Sequence, residues 1–537
     1  PPVKDLAGNS IASTVSCSFT YDTTEPTVTF SDTDDDNLLA ASDTVTITAS
    51  FSEAMTSNPT ISISGTSISN QEMSKIWVQV GADIDGEAAD DESGRNSVSF
   101  SSDGSRLAIG ATSNDGNGSN SGHVRIYDYN GSAWVQVGGD IDGEAAGDLS
   151  GWSVSLSSDG SRVAIGAYNN DGNGNKSGHV RIYDYNGSAW VQVGGDIDGE
   201  AVRDQSGYSV SLSSDGSRVA IGATSNDGNG YNSGHVRIYQ YYNNNDSWSQ
   251  LGADIDGEAE RDQSGYSVSL SSDGSRVAIG SSYNGGNGND SGHVRIYDYD
   301  GIEWEQVGGD IDGEAAGDLS GRSVSLSSDG SRVAIGANND GNGSNSGHVR
   351  IYDYNTSTEA WAQVGADIDG EAANDKSGNS VSLSSDGSRV AIGAPLNDGN
   401  GSDSGHVRVY SWNGSAWTKL GSDIDGEAAN DRSGHSVSLS SDGSRVAIGA
   451  YKNDGNGSNS GHVRVYEIPS AGSIYQYVWD VDSGGAPSDG SYAATVSGTD
   501  LAGNAYSGTD SITFTLDTTG PTVILTDTDA DNLIPLS

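Results

Sequence analysis

The chain has 537 residues, 75 of them acidic and 25 basic, with a formal net charge of −50 and an isoelectric point near 4.1. Such acidity argues against nucleic acid and against anionic membrane surfaces as partners. No apolar run reaches the length of a transmembrane helix, no signal peptide opens the sequence, and the single Cys17 excludes an internal disulfide.

Residues 1–42 and 496–537 align without a gap at an offset of 495. Asp5-Leu6-Ala7-Gly8-Asn9 matches Asp500-Leu501-Ala502-Gly503-Asn504, and Asp32-Thr33-Asp34 matches Asp527-Thr528-Asp529. The sequence therefore reads as a piece of a longer array, cut at both ends through one tandem module. Short alternating runs predict strands at 27–30, 44–51 and 60–64, and again at 475–481, 492–497 and 510–516. Neither group makes a sandwich alone, but together they supply about 100 residues, the size of one immunoglobulin-like domain.

Between the two groups the chain repeats itself. Trp77, Trp134, Trp190, Trp248, Trp304, Trp361 and Trp417 follow one another at steps of 57, 56, 58, 56, 57 and 56 residues. A period of this length means one supersecondary unit per repeat. In the second unit the predicted strands are 135–137, 153–157, 162–166 and 179–185, with tight turns at Ser158-Asp159-Gly160 and Asn186-Gly187. Four strands joined by turns make one propeller blade, and seven units fit a closed ring. The phase of the repeat leaves an orphan strand at 76–80 and a last unit with three strands ending at 462–467. Pairing the two would close the ring and remove an open edge.

Gly151-x-Ser153-Val154, Ile165-Gly166-Ala167 and Gly178-His179-Val180-Arg181-Ile182-Tyr183 resemble the FG-GAP repeat of integrin-α-like propellers, in its bacterial subgroup. One copy reads Gly393-Ala394-Pro395. Ser150 and its equivalents replace the Phe, and the hairpin Ser-Ser-Asp-Gly-Ser lacks the calcium loop of integrin-type repeats. The flanks resemble bacterial Ig-like domains. The expected fold is all-β: a seven-bladed β-propeller at 76–468 inserted into an Ig-like β-sandwich made of 22–75 and 469–516. Partial neighbouring modules are expected at 1–21 and 517–537.

Two sets of residues are candidates for binding. Asp140, Asp142, Glu144 and Asp148, with Asp171 from the next loop, are oxygen donors in Gly-punctuated loops, the kind that suits calcium. The bland reading is that they cap turns. The second set is the residue after each Ser-Gly pair, which varies while its surroundings repeat: Asn96, Trp152, Tyr208, Tyr266, Arg322, Asn379 and His435. Tyr168 and Tyr451 vary on the same face. These positions should ring the mouth of the central channel and present a protein or glycan ligand with aromatic and Arg anchors. The seven histidines of the Gly-His-Val motif, His179 among them, are expected to hydrogen-bond an Asp.

Catalysis needs unlike groups converging on one point, whereas here each candidate recurs in nearly every unit. The expectation is a non-enzymatic adhesion or ligand-binding module of an extracellular or cell-surface protein. The alternative is a structural spacer without a specific ligand.

Overall fold

The computed structural model describes residues 22–34, 36–40, 42–339, 344–468, 474–481 and 488–517. The modules expected at 1–21 and, apart from Asp517, at 517–537 lie outside them. The described residues form strands and turns with no helix. Two compact units emerge: one from Pro1–Ile76 with Pro469–Ser537, the other from Trp77–Ile468.

The first unit takes its strands from both ends of the chain. One sheet runs in the order Val28–Asp32, Thr44–Phe51, Ile474–Asp480, Ser74–Lys75. The other runs Leu38–Leu39, Ser511–Leu516, Gly490–Ser497, Thr60–Ile63, Gln71–Glu72. Thr44–Phe51 alternates strictly between buried and more exposed positions, as a strand with one face on a core must. Its inward residues Val45, Ile47, Ala49 and Phe51 share one apolar cluster with Ile61, Met73, Trp479 and Phe514.

The second unit holds seven sheets of four main strands. The inner strands, Ser153–Leu156 and its equivalents, contact both neighbours, and the last (Ser436–Leu439) contacts the first (Ser93–Phe100). Outward from Ser153–Leu156 come Arg162–Ala167, His179–Tyr185 and Trp190–Gln192, all antiparallel. The sheet begun by Ser436–Leu439 takes its outer strand from the other end of the unit, with Tyr466 opposite Gln79 and Glu467 opposite Val78.

The repeated Ser-Val-Ser-Leu exists to join sheets. The first Ser donates its hydroxyl to a glycine carbonyl of the next sheet: Ser153 to Gly207 at 2.9 Å, and so around to Ser436, which donates to Gly94 at 2.7 Å. The second accepts a backbone N–H from the following inner strand, as Ser155 does from Leu212 at 2.9 Å. The hairpin backbone adds a further closed ring, from Ser102 to Ser158 to Ser214 and back through Ser441 to Ser102, each bond 2.8 Å. At the rim each Trp indole donates to the preceding outer strand, Trp190 to the Val137 carbonyl at 2.9 Å.

One segment departs from the expectation of a loop. Ile141–Asp142 pairs with His123–Val124 as a second piece of the outer strand. The cause is Ile141, which is buried in the core between sheets while Asp142 points outward.

Candidate binding site

All seven variable positions after the Ser-Gly pairs meet at one cavity of about 330 Å³ at the inner ends of the sheets. Asn96, Trp152, Tyr208, Tyr266, Arg322, Asn379 and His435 line it, backed by the Ser and Val residues that follow each. The inner strands place them there because the chain enters each through a Gly held at positive φ, such as Gly151 at 84°. A Cβ on Gly151 would come 2.6 Å from the His123 carbonyl, so glycine is needed for the turn into the strand.

The lining is uneven. Trp152, Tyr208 and Tyr266 form a continuous aromatic arc, with ring centroids 5.5 and 5.0 Å apart. Tyr168 stacks behind it, 4.6 Å from Trp152 and 5.5 Å from Tyr208. The opposite arc is polar: Asn379 donates to the His435 carbonyl at 3.1 Å, and the His435 ring lies 4.7 Å from buried Tyr451. His435 Nδ1 contacts the Arg95 carbonyl. Burial, with the Arg322 charge, depresses the His435 pKa to about 3, so its ring is neutral at physiological pH. Burial raises the Tyr208 hydroxyl, and Arg322 and Arg95 pull it part of the way back.

Two features of the cavity and its surroundings escape a reading by repeats. Arg95 is an extra residue in the first unit, absorbed by a register shift between Ser93–Phe100 and its partner strand. Its guanidinium lies 5.7 Å over Trp152 and 5.3 Å over Tyr451, and it pairs with Glu92. Tyr283 extends the arc from Tyr266 at 6.3 Å. The sequence signal for Arg95 is the insertion itself, a change of length where every other unit keeps step.

The acidic candidates do not converge. Glu144 pairs with Arg181 at 3.7 Å and shares a group with His179 and Asp196, whereas Asp140 belongs to a different group, with Glu87 and His123. Asp142 points outward from its strand, and its carbonyl accepts from Arg181 at 2.7 Å. Asp148 is buried and accepts from the Ala145 N–H and from Asn170, both at 3.0 Å. Asp171 accepts the Lys176 N–H at 2.7 Å. Asp148 and Asp171 thus act as caps of tight turns. The expected His–Asp hydrogen bond is not formed at His179: its Nδ1 stands 3.8 Å from Glu144, and its Nε2 is buried without a partner among the described residues. Desolvation lowers the His179 pKa to about 4, which keeps the ring uncharged.

Residues 142–183, 367–410 and 423–466 match the family model described as FG-GAP repeat. The chain carries FG-GAP repeats. In these repeats the Gly-His-Val-Arg stretch is the third strand of each sheet, and its Arg reaches the preceding sheet's backbone, as Arg181 does. No curated protein matches the chain. Among solved structures it is similar to the β-propeller domain of the Trilobed protease from Pyrococcus furiosus, at 11% identity and TM-score 0.35, covering 72% of this chain and 94% of that one. It is similar too to an acylaminoacyl peptidase from Pyrococcus horikoshii, at 12% identity and TM-score 0.36, covering 70% of this chain and 50% of that one. A xyloglucanase from Xanthomonas campestris matches at 12% identity and TM-score 0.40, covering 71% of this chain and 54% of that one. The chain spans about half the length of these last two proteins.

Proposed function

We propose that the FG-GAP repeats form a seven-bladed propeller that works as a non-enzymatic ligand-binding or adhesion module of an extracellular or cell-surface protein. We further propose that it is inserted into an Ig-like sandwich. The insertion is supported by the two-ended unit, where Thr44–Phe51 pairs with Ile474–Asp480 and Thr60–Ile63 with Gly490–Ser497.

One observation carries the binding reading. In a frame whose joining residues recur from sheet to sheet, the variable position that follows the Ser-Gly pair lines the same cavity in each of the seven units. Aromatic and Arg side chains in such a place are the usual anchors of an interface. The cavity lining holds no carboxylate, and His435 is held neutral with Nδ1 against a backbone carbonyl. A binding role therefore fits it better than acid–base chemistry does. The site as proposed does not require calcium at Asp140, Asp142, Glu144, Asp148 and Asp171.

The test is a Trp152→Ala, Tyr208→Ala, Tyr266→Ala triple variant, assayed for adhesion to cells, polysaccharides and matrix proteins. Loss of adhesion with the fold intact is expected. A folded variant that adheres as well as the parent moves the site elsewhere and favours the spacer.

A further inference from the structure

The charge of the cavity is opposite to that of the chain. Among the described residues no Asp or Glu lines it, while Arg322 does, as does Arg95, which pairs with Glu92. Most propeller arginines meet a carboxylate; Arg162, for example, binds Asp184 at 2.5 Å. Among the described residues no carboxylate pairs with Arg322. Its guanidinium lies 4.8 Å over the Tyr266 ring and donates to that residue's hydroxyl. A guanidinium has five N–H donors in a planar fork, so most of them remain for an acceptor of matching shape. The Asn96 amide nitrogen is buried with no hydrogen-bond partner among the described residues.

The cationic group stands at the end of the aromatic arc. Tyr266 lies against it, and Tyr208 and Trp152 continue the arc; their ring faces suit the C–H face of a sugar, while Arg322 offers donors for its oxygens. The volume, about 330 Å³, is at the small end of ligand pockets and admits a sugar residue rather than a folded element.

We propose that the cavity takes an anionic sugar residue, one bearing a carboxylate or sulfate group, with the anion on Arg322 and the ring against Trp152 and Tyr208. This rests on the ligand-binding reading above and narrows it to acidic glycans. The net charge of −50 repels free anions at long range, so the ligand must gain from stacking as well as from the ion pair.

The experiment measures binding of the full chain to immobilised oligogalacturonate, dextran sulfate and neutral dextran at near-physiological salt. Saturable binding to an anionic polymer and none to dextran is expected, and the polymer preferred tells carboxylate from sulfate. Arg322→Gln should weaken that binding at least about tenfold, as loss of a charge-assisted fork implies, with circular dichroism and melting unchanged. Arg322→Lys should retain part of it. If Arg322→Gln fails to fold, competition on the parent reads the same contact: free glucuronate should displace the polymer and free glucose should not. Binding to dextran that Arg322→Gln leaves intact but Trp152→Ala abolishes would overturn the anion and spare the ligand-binding reading. Binding to none of the three polymers would overturn the proposal, and the triple-alanine adhesion assay would then judge the broader reading separately.

Discussion

Gly166 stands next to the end of its strand because nothing larger fits there. A Cβ at that position would lie 2.1 Å from the Gly207 carbonyl oxygen of the next sheet and 2.3 Å from Ser153 Oγ. Gly166→Ala must therefore push two inner strands apart, at a cost of about 2 kcal/mol or more in urea unfolding. Gly139→Ala is the control: a Cβ there meets nothing within 4 Å, and a change within about 0.5 kcal/mol is expected. His179 supplies a pH prediction. Its pKa falls from 6.5 to about 4 on folding, chiefly because burial disfavours the charged ring. Above the unfolded value both states are neutral. Below it the unfolded chain takes up the proton first, so stability is lost as pH falls from 6.5 towards about 4. Glu144, raised above 4.5 by burial, acts in the opposite sense within the same window. His179→Asn removes the histidine contribution, and its urea midpoint should fall less than the parent's between neutral pH and about pH 5.

At the scale of the strand, the second and third strands are clamped at their outer end by an Arg. Arg106, Arg162, Arg276 and Arg332 each hold an Asp of the third strand at 2.5–2.6 Å, and Arg445 holds Glu467 at 3.1 Å. In two sheets the acid is replaced: Arg389 stands opposite Ser411, and Arg218 bonds Gln240 at 2.9 Å instead. Gln240→Asp should restore the ion pair and raise stability by less than about 1 kcal/mol, since these carboxylates are partly exposed; the urea midpoint measures it. The long strands could be read from sequence because alternation in Ser-Val-Ser-Leu and a continuous apolar run in Arg-Val-Ala-Ile-Gly-Ala report burial directly. Ile141–Asp142 could not, since two residues show no period. The cavity's position was readable because variability in a repeating frame marks one place in every unit. Its electrostatics were not: the ring contacts of Arg95 and Arg322 join residues from different sheets, and neither local spacing nor periodicity encodes them. The turn-capping of Asp148 was legible only as one of two readings, because a carboxylate that accepts backbone N–H groups and one that binds a cation have the same letter.

For the whole molecule, the net charge of −50 is a standing repulsion that folding must hold together. Salt screens charges separated by more than about 10 Å at 0.1 M. The melting temperature by calorimetry should therefore rise from low to moderate sodium chloride; a fall would mean that the local Arg–carboxylate pairs outweigh the long-range field. The outer strand borrowed by the final sheet has a mechanical meaning. Val78–Gln79 lies against Tyr466–Glu467 and Ile84–Asp85 against His462–Val463, so the two ends of the ring-forming segment meet in a short, interrupted ladder. Tension applied through those ends would fall first on that ladder and on the Trp77 indole, which donates to the Leu420 carbonyl at 2.8 Å. The other six sheets would be loaded only after this clasp had opened. A ring closed in this way carries its weakest link at a known place, and under load it would come undone there like a bracelet.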